Sequence, residues 1–276
     1  MNDRIVGICR FSFLGLGDWI GMRGGGDASP ERIAHQAAQI YVPDRLERRF
    51  AAFETLFLPW VAAQTDPDFE LWILTSPELP APDMARLRDL CAQMPQIRII
   101  VSAERDCKAA LAEPLMQVAQ AAGGPVMQFR IDDDDALSRH YIARLRAHMR
   151  RFQDMRTVAI SMACGLILRS YGDEPVSFWR AKQLFGSAGA AVRMADRSRS
   201  VFSRNHFDLP RHFAAFSDIE GLNYVQLRWD AGDSAAPAQM NWDSRHVALA
   251  LAHFEALIED DFPFLKDADF GFMSGA

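Results

Sequence analysis

Three times in the first 122 residues a short apolar run gives way to a helical pattern, and a fourth apolar run ends in four consecutive aspartates. The apolar runs cover residues 5–13, 69–75, 97–101 and 125–129. The first has few charges and suits a strand buried on both faces. Between the runs, residues 44–64, 84–94 and 106–122 read as helices. In the first of these, Leu46, Phe50, Phe53, Leu56, Phe57 and Trp60 recur at three- and four-residue spacing. Pro114 should kink or split the third. Such alternation specifies an α/β fold with a mostly parallel central sheet and helices on both faces. Ligands of such sheets bind beyond the carboxyl ends of the strands. Those ends are Arg10-Phe11-Ser12, Thr75-Ser76, Ser102-Ala103 and the aspartates, and they converge on one crevice.

The aspartates are Asp132, Asp133, Asp134 and Asp135, in Arg130-Ile131-Asp132-Asp133-Asp134-Asp135-Ala136-Leu137. Like charges this close raise one another's pKa unless something positive is among them. On a solvated helix start the cost is small, and Asp is favoured at caps and in first turns. At the mouth of a sheet the cluster calls for a cation. Mg²⁺ or Mn²⁺ prefers carboxylate oxygens and brings phosphate with it. Arg130 can also relieve the repulsion by pairing with a neighbouring aspartate.

Elsewhere the pattern is weaker. Residues 14–43 read as a long, glycine-rich loop with Gly15, Gly17, Gly21 and Gly24 to Gly26, either flexible or a lid over substrate. No GK[ST] closes it, so it is no P-loop. Residues 137–152 read as a helix with an arginine-rich outer face, and residues 157–170 as a strand or two strand pieces around Gly165. After that the alternation stops. Residues 187–205 suggest short strands and turns, 223–229 a strand, 231–237 a loop and 246–258 a last amphipathic helix.

A net charge of -6 argues against a protein that grips nucleic acid through its phosphates. The four cysteines, Cys9, Cys91, Cys107 and Cys164, show neither zinc spacing nor a disulfide framework. They suit a reducing, cytoplasmic compartment. No signal peptide or apolar run of transmembrane length is present, so membrane association is expected to be peripheral at most.

The order of elements resembles the GT-A fold of nucleotide-sugar glycosyltransferases. Arg10-Phe11-Ser12, Gln64-Thr65-Asp66-Pro67-Asp68-Phe69 and the segment from Arg130 to Leu137 are similar to the family of putative rhamnosyl transferases of bacteria. The resemblance implies a metal-dependent transfer of a sugar, rhamnose by the family's name, from a nucleotide-diphosphate donor to a saccharide or other hydroxyl acceptor. Mn²⁺ or Mg²⁺ would neutralise the departing diphosphate. Donor-binding residues are then Arg10, Phe11, Ser12, Thr75, Arg130, Asp132 and Asp133. Metal ligands are Asp134, Asp132, Asp135 and, from the C-terminal half, His206, with His212 and His246 as weaker alternatives.

On an extended strand end alternate side chains share a side. Asp132 and Asp134 would then face the nucleotide and the metal, with Asp135 left to cap a helix. A shift of register by one residue would give those roles to Asp133 and Asp135. An inverting transfer also needs a base. Asp218 and Glu220 are the candidates, and Asp173 and Glu174 compete. Trp179, Trp229 and Trp242 could stack on a sugar, although each also suits a buried packing role. The expected organisation is one domain, with residues 1–156 as nucleotide-sugar half and 157–276 as acceptor half. A divalent-metal phosphoryl-transfer or hydrolytic enzyme and an inert nucleotide-sugar-binding module are the alternatives. The uninterrupted aspartates favour activity over the module.

Overall fold

A computed structural model describes residues 4–15, 29–232 and 245–273. Gly17, Gly21, Gly24 to Gly26 and Trp242 lie outside them, as do residues 233–237 of the anticipated loop. The strands are β1 (Ile5–Arg10), β2 (Glu70–Thr75), β3 (Ile97–Val101), β4 (Met127–Asp132), β5 (Ala136–Leu137), β6 (Val158–Met162), β7 (Cys164–Arg169), β8 (Ser177–Lys182), β9 (Ala191–Arg193), β10 (Ala215–Asp218), β11 (Tyr224–Arg228) and β12 (His246–Leu249). The helices are α1 (Pro30–Ile40), α2 (Pro43–Ala52), α3 (Leu58–Ala62), α4 (Ala81–Cys91), α5 (Cys107–Ala121), α6 (Tyr141–Arg151), α7 (Leu209–His212) and α8 (Leu251–Asp261). Among the described residues no helix is long and apolar enough to cross a membrane.

The α/β expectation is met. A seven-stranded sheet runs β10-β6-β9-β4-β1-β2-β3. All its pairings are parallel except those of β9 with β4 and β6. β1 is buried on both faces, as its sequence requires. Gly7 is obligatory there, because a side chain would run into the Phe129 ring of the neighbouring β4. One part of the core packs Phe11, Phe50, Phe53 and Trp60 against Phe129 and Tyr141.

The helical stripe from Leu46 to Trp60 is real but not uniformly α. Between α2 and α3, residues Phe53–Phe57 form a single π turn. Pro59 follows at the start of α3. It has no N–H to donate and its ring crowds the preceding turn, so the wider turn relieves both. α5 runs through Pro114, with Asp106 capping its N-terminus.

Several expectations are corrected. Part of the 14–43 loop is helix α1, begun by Pro30 and capped by the Ser29 hydroxyl, which accepts from Arg32 N–H at 3.2 Å. The helix expected from residue 137 starts at Tyr141, because Ala136–Leu137 instead pair antiparallel with β11. The 157–170 run breaks at Ala163, not at Gly165. Its two pieces, β6 and β7, belong to different sheets. At the break the Ala163 backbone is satisfied by Asp218 O and Gln183 N–H, both at 2.7 Å. The expected last helix is strand β12 followed by α8. β8, β12, β7, β11 and β5 build a second, mostly antiparallel sheet that the sequence did not announce.

Candidate donor site at the carboxyl end of β4

The four aspartates form a tight turn, closed by Asp135 N–H donating to Asp132 O at 3.1 Å. The strand alternation therefore ends at Asp132, and each side chain takes its own direction. Asp133, Asp134 and Asp135 are buried, while Asp132 remains partly open, its side chain 31% exposed. A solvated helix start is excluded by that burial.

The cation for the turn comes from α2. Arg49, 3% exposed, bridges Asp133 and Asp134, donating to Asp134 Oδ2 at 2.9 Å. Trp229 Nε1–H donates to the same Oδ2 at 2.9 Å. Asp135 turns the other way, accepting from Leu227 N–H at 3.2 Å and Gln226 Nε2 at 3.3 Å. It holds strand β11 and caps no helix. Burial and its neighbours Asp134 and Asp132 push its carboxyl well above the ordinary range.

Asp132 stays partly exposed beside two arginines. Arg10 donates to its Oδ1 at 3.1 Å and Arg130 approaches it at 4.0 Å. Burial alone would raise its carboxyl, but Arg10 and then Arg130 outweigh burial and hold it below the usual carboxylate range. Both guanidinium groups stack on the Phe202 ring, 4.9 Å and 4.6 Å from its centroid. His206 lies in the same electrostatic neighbourhood. Burial, then Arg130, push its imidazole down to about 4. Its Nδ1–H donates to Phe185 O at 2.5 Å, which leaves Nε2 with the lone pair of the neutral ring.

The remaining expected donor residues line the ends of β1 and β2. Phe11 presents only backbone there, since its ring is buried against Phe50 and Phe53. Ser12 adopts a left-handed φ of 44° and its carbonyl accepts from Tyr41 at 3.2 Å. The Ser12 and Thr75 hydroxyls are buried without a hydrogen-bond partner. Buried hydroxyls in that condition are uncommon and mark a place for a polar ligand or water.

Asp218 and Glu220 are not brought to this site. Asp218 ends β10 and Glu220 follows it, three strands from β4, or roughly 14 Å at the usual spacing. Asp218 accepts from Arg144 at 2.7 Å, His148 at 2.8 Å and Glu220 N–H at 2.9 Å. Burial raises its carboxyl, but these hydrogen bonds win and hold it low, opposite to what a general base near neutral pH needs. Asp173 and Glu174 are exposed, and Glu174 pairs with Arg169 at 2.6 Å. Trp229 is a buried anchor rather than a sugar platform.

Arg49 was missed, and its signal lay in plain view. Leu46, Arg49, Phe50 and Phe53 fall on one helical face, so an arginine stands in the apolar stripe. The segment from Gln64 to Phe69 has a structural task. Gln64 Nε2 donates to Ser138 O at 2.8 Å, its Oε1 accepts from Ile142 N–H at 3.1 Å, and Asp66 accepts from Arg146 at 2.6 Å. It clasps the start of α6, just after the aspartate turn.

Among the described residues no three of His, Cys, Asp and Glu form a complete metal cage. Mg²⁺ commonly takes one or two carboxylates and completes its shell with water and substrate phosphates. Partly open Asp132, and Asp134, which is buried but hydrogen-bonded through its Oδ2 alone in the manner of a supported metal ligand, fit that arrangement.

Among solved structures, the chain is similar to S. aureus TarS 1-349 in complex with UDP-GlcNAc, with TM-score 0.45, 8% identity, and coverage of 98% of this chain and 68% of that one. For S. aureus TarS 1-349 without that ligand the TM-score is 0.42 at 8% identity, over 81% of this chain and 60% of that one. The chain thus spans about three fifths of the latter. A putative nucleotide-diphospho-sugar transferase from Desulfovibrio desulfuricans G20 gives TM-score 0.34 and 9% identity, over 82% and 81%. No curated protein matches the chain. The family described as "Putative rhamnosyl transferase" matches residues 4–241, a stretch that takes in β1, Arg49, the aspartate turn and Trp229. By that match the chain belongs to the putative rhamnosyl transferase family, a family of glycosyltransferases by its description.

Proposed function

We propose that the protein transfers a sugar, rhamnose by the family's description, from a nucleoside-diphosphate donor to a hydroxyl acceptor, with Mn²⁺ or Mg²⁺ held at Asp132 and Asp134. The observation that carries this reading is Asp132. It is an ionised, partly open carboxylate between Arg10 and Arg130 at the carboxyl end of a central parallel strand. The ion, when bound, supplies Lewis-acid stabilisation of the departing diphosphate. Arg10 and Arg130 lie beside the same carboxylate and neutralise charge that builds on the phosphates. His206 stays neutral there and offers Nε2 as a ligand or hydrogen-bond acceptor.

Ser12 and Thr75, with their unpartnered hydroxyls, suit the nucleoside. Asp133 and Asp135 support the turn rather than touch the donor. An inverting transfer needs a base other than Asp218, which is enclosed by its own hydrogen bonds. Residues 1–156 carry most of the donor site, to which Phe202, His206 and Trp229 are added from residues 157–276, the acceptor side of the same domain. The four cysteines are free and buried, in keeping with a cytoplasmic protein.

The test is a thermal-shift panel of nucleoside diphosphates with and without Mn²⁺, followed by transfer assays with the corresponding sugar donors. Metal-dependent stabilisation by one nucleotide is the expected result. Stabilisation by none would overturn the donor site. Phosphoester hydrolysis without sugar transfer would favour a metal-dependent hydrolase instead.

A further inference from the structure

Residues 271–273 form a short 3-10 turn that lies beyond the stretch matched by the family, yet they reach the aspartate turn through two contacts. Arg48 donates from Nε to Phe272 O at 3.1 Å and from Nη2 to Met273 O at 2.9 Å. The Phe272 ring meets the Trp229 indole edge-on, with centroids 5.4 Å apart and planes at 81°. The Arg48 guanidinium also lies 5.1 Å from the Trp229 ring centroid. Trp229 is 1% exposed and Met273 fully buried, so the arrangement is packed. Its outlet is the indole N–H, which donates to Asp134 Oδ2. Arg49, adjacent to Arg48 on α2, donates to the same oxygen.

We propose that Phe272 and Arg48 are positioning residues, forming a strap that fixes the Trp229 indole and through it aims Asp134 at the donor's metal. The inference rests on the donor-site reading above and adds to it a segment outside the family match. An indole free to rotate about χ1 and χ2 holds its N–H on a carboxylate only part of the time. Phe272 restrains that rotation by edge contact, Arg48 by the cation–π contact and by anchoring the carbonyls of Phe272 and Met273. Supports of this kind around a ligating carboxylate typically alter metal affinity by about 10- to 100-fold.

The experiment is a double-mutant cycle on full-length protein, read as nucleoside-diphosphate affinity at saturating and at limiting Mn²⁺, well below the unfolding temperature. Trp229→Phe keeps the ring and removes the N–H, and should weaken Mn²⁺-dependent binding about tenfold. Phe272→Ala should weaken it roughly three- to tenfold, and Phe272→Tyr, which keeps the edge contact, should restore it. In the Trp229→Phe background the Phe272→Ala loss should disappear, because the hydrogen bond it acts through is already gone. A Phe272→Ala protein that melts earlier but binds Mn²⁺ and nucleotide as wild type overturns the strap. So does a loss that adds in full to that of Trp229→Phe. Wild-type protein that binds no nucleoside diphosphate with Mn²⁺ overturns the donor site itself, and the strap's purpose with it.

Discussion

Two carboxylate clusters stand at carboxyl ends of parallel strands in the same sheet, and they differ in what is left open. At the end of β10, Asp218 receives three hydrogen bonds, from Arg144, His148 and its own chain at Glu220. Helix α6 supplies both side chains and covers it. At the end of β4, Asp133, Asp134 and Asp135 are similarly occupied by Arg49, Trp229, Gln226 and Leu227. Asp132 differs from all of them. Two arginines keep it ionised while part of its side chain stays exposed. A carboxylate at a strand end becomes a binding group when its partners hold its charge without enclosing it. By this criterion one cluster is a fastening, and the other is a fastening with one open member, Asp132, and a second, Asp134, that is held through its Oδ2 alone.

The contrast can be broken by substitution. Asp132→Asn should weaken metal-dependent nucleotide binding by roughly a hundredfold or more with little change in melting temperature, measured by calorimetric titration and thermal unfolding. Equal binding would move the donor site elsewhere. Arg49→Met should strand two buried carboxylates and destabilise the fold by about 3–5 kcal/mol in urea unfolding. A nearly neutral result would mean that the turn does not depend on its internal cation. Asp218→Asn should cost about 1–3 kcal/mol of stability and leave nucleotide affinity unchanged. If affinity fell with stability, the two clusters would not be separate.

The smallest effect concerns pH. The folded Asp218 carboxyl is held below its unfolded value of about 3.9, so its contribution is present above that pH and lost as pH falls through the folded value. The fall in melting temperature from about pH 4 downward should therefore be shallower in Asp218→Asn than in wild type. Identical slopes would contradict the assigned hydrogen bonds.

The alternation of apolar runs and helical stripes made the sheet from β1 to β4 legible, because β1, β2 and β4 are buried on both faces and the half-exposed edge strand β3 is still a run of mostly apolar residues. The aspartates were legible as a candidate site because that alternation placed them at a strand end. What each does was not legible, since the turn after Asp132 breaks the two-residue period on which the side-chain directions were argued. Arg49 could have been found as the charged residue within an apolar stripe. Trp229 could not, because its pairing with Asp134 spans 95 residues and joins two sheets. The second sheet escaped for a related reason. β5, β8 and β12 are short or half-exposed strands whose order depends on long-range antiparallel pairing, and local periodicity carries little of that.

Calorimetric titration of wild type, Asp132→Asn and Asp218→Asn with the nucleoside diphosphate chosen by thermal shift, in the presence of Mn²⁺, tests the central claim most directly. The account predicts saturable, metal-dependent binding in wild type and Asp218→Asn and its loss in Asp132→Asn. Binding that survives in Asp132→Asn and is lost in Asp218→Asn would contradict it.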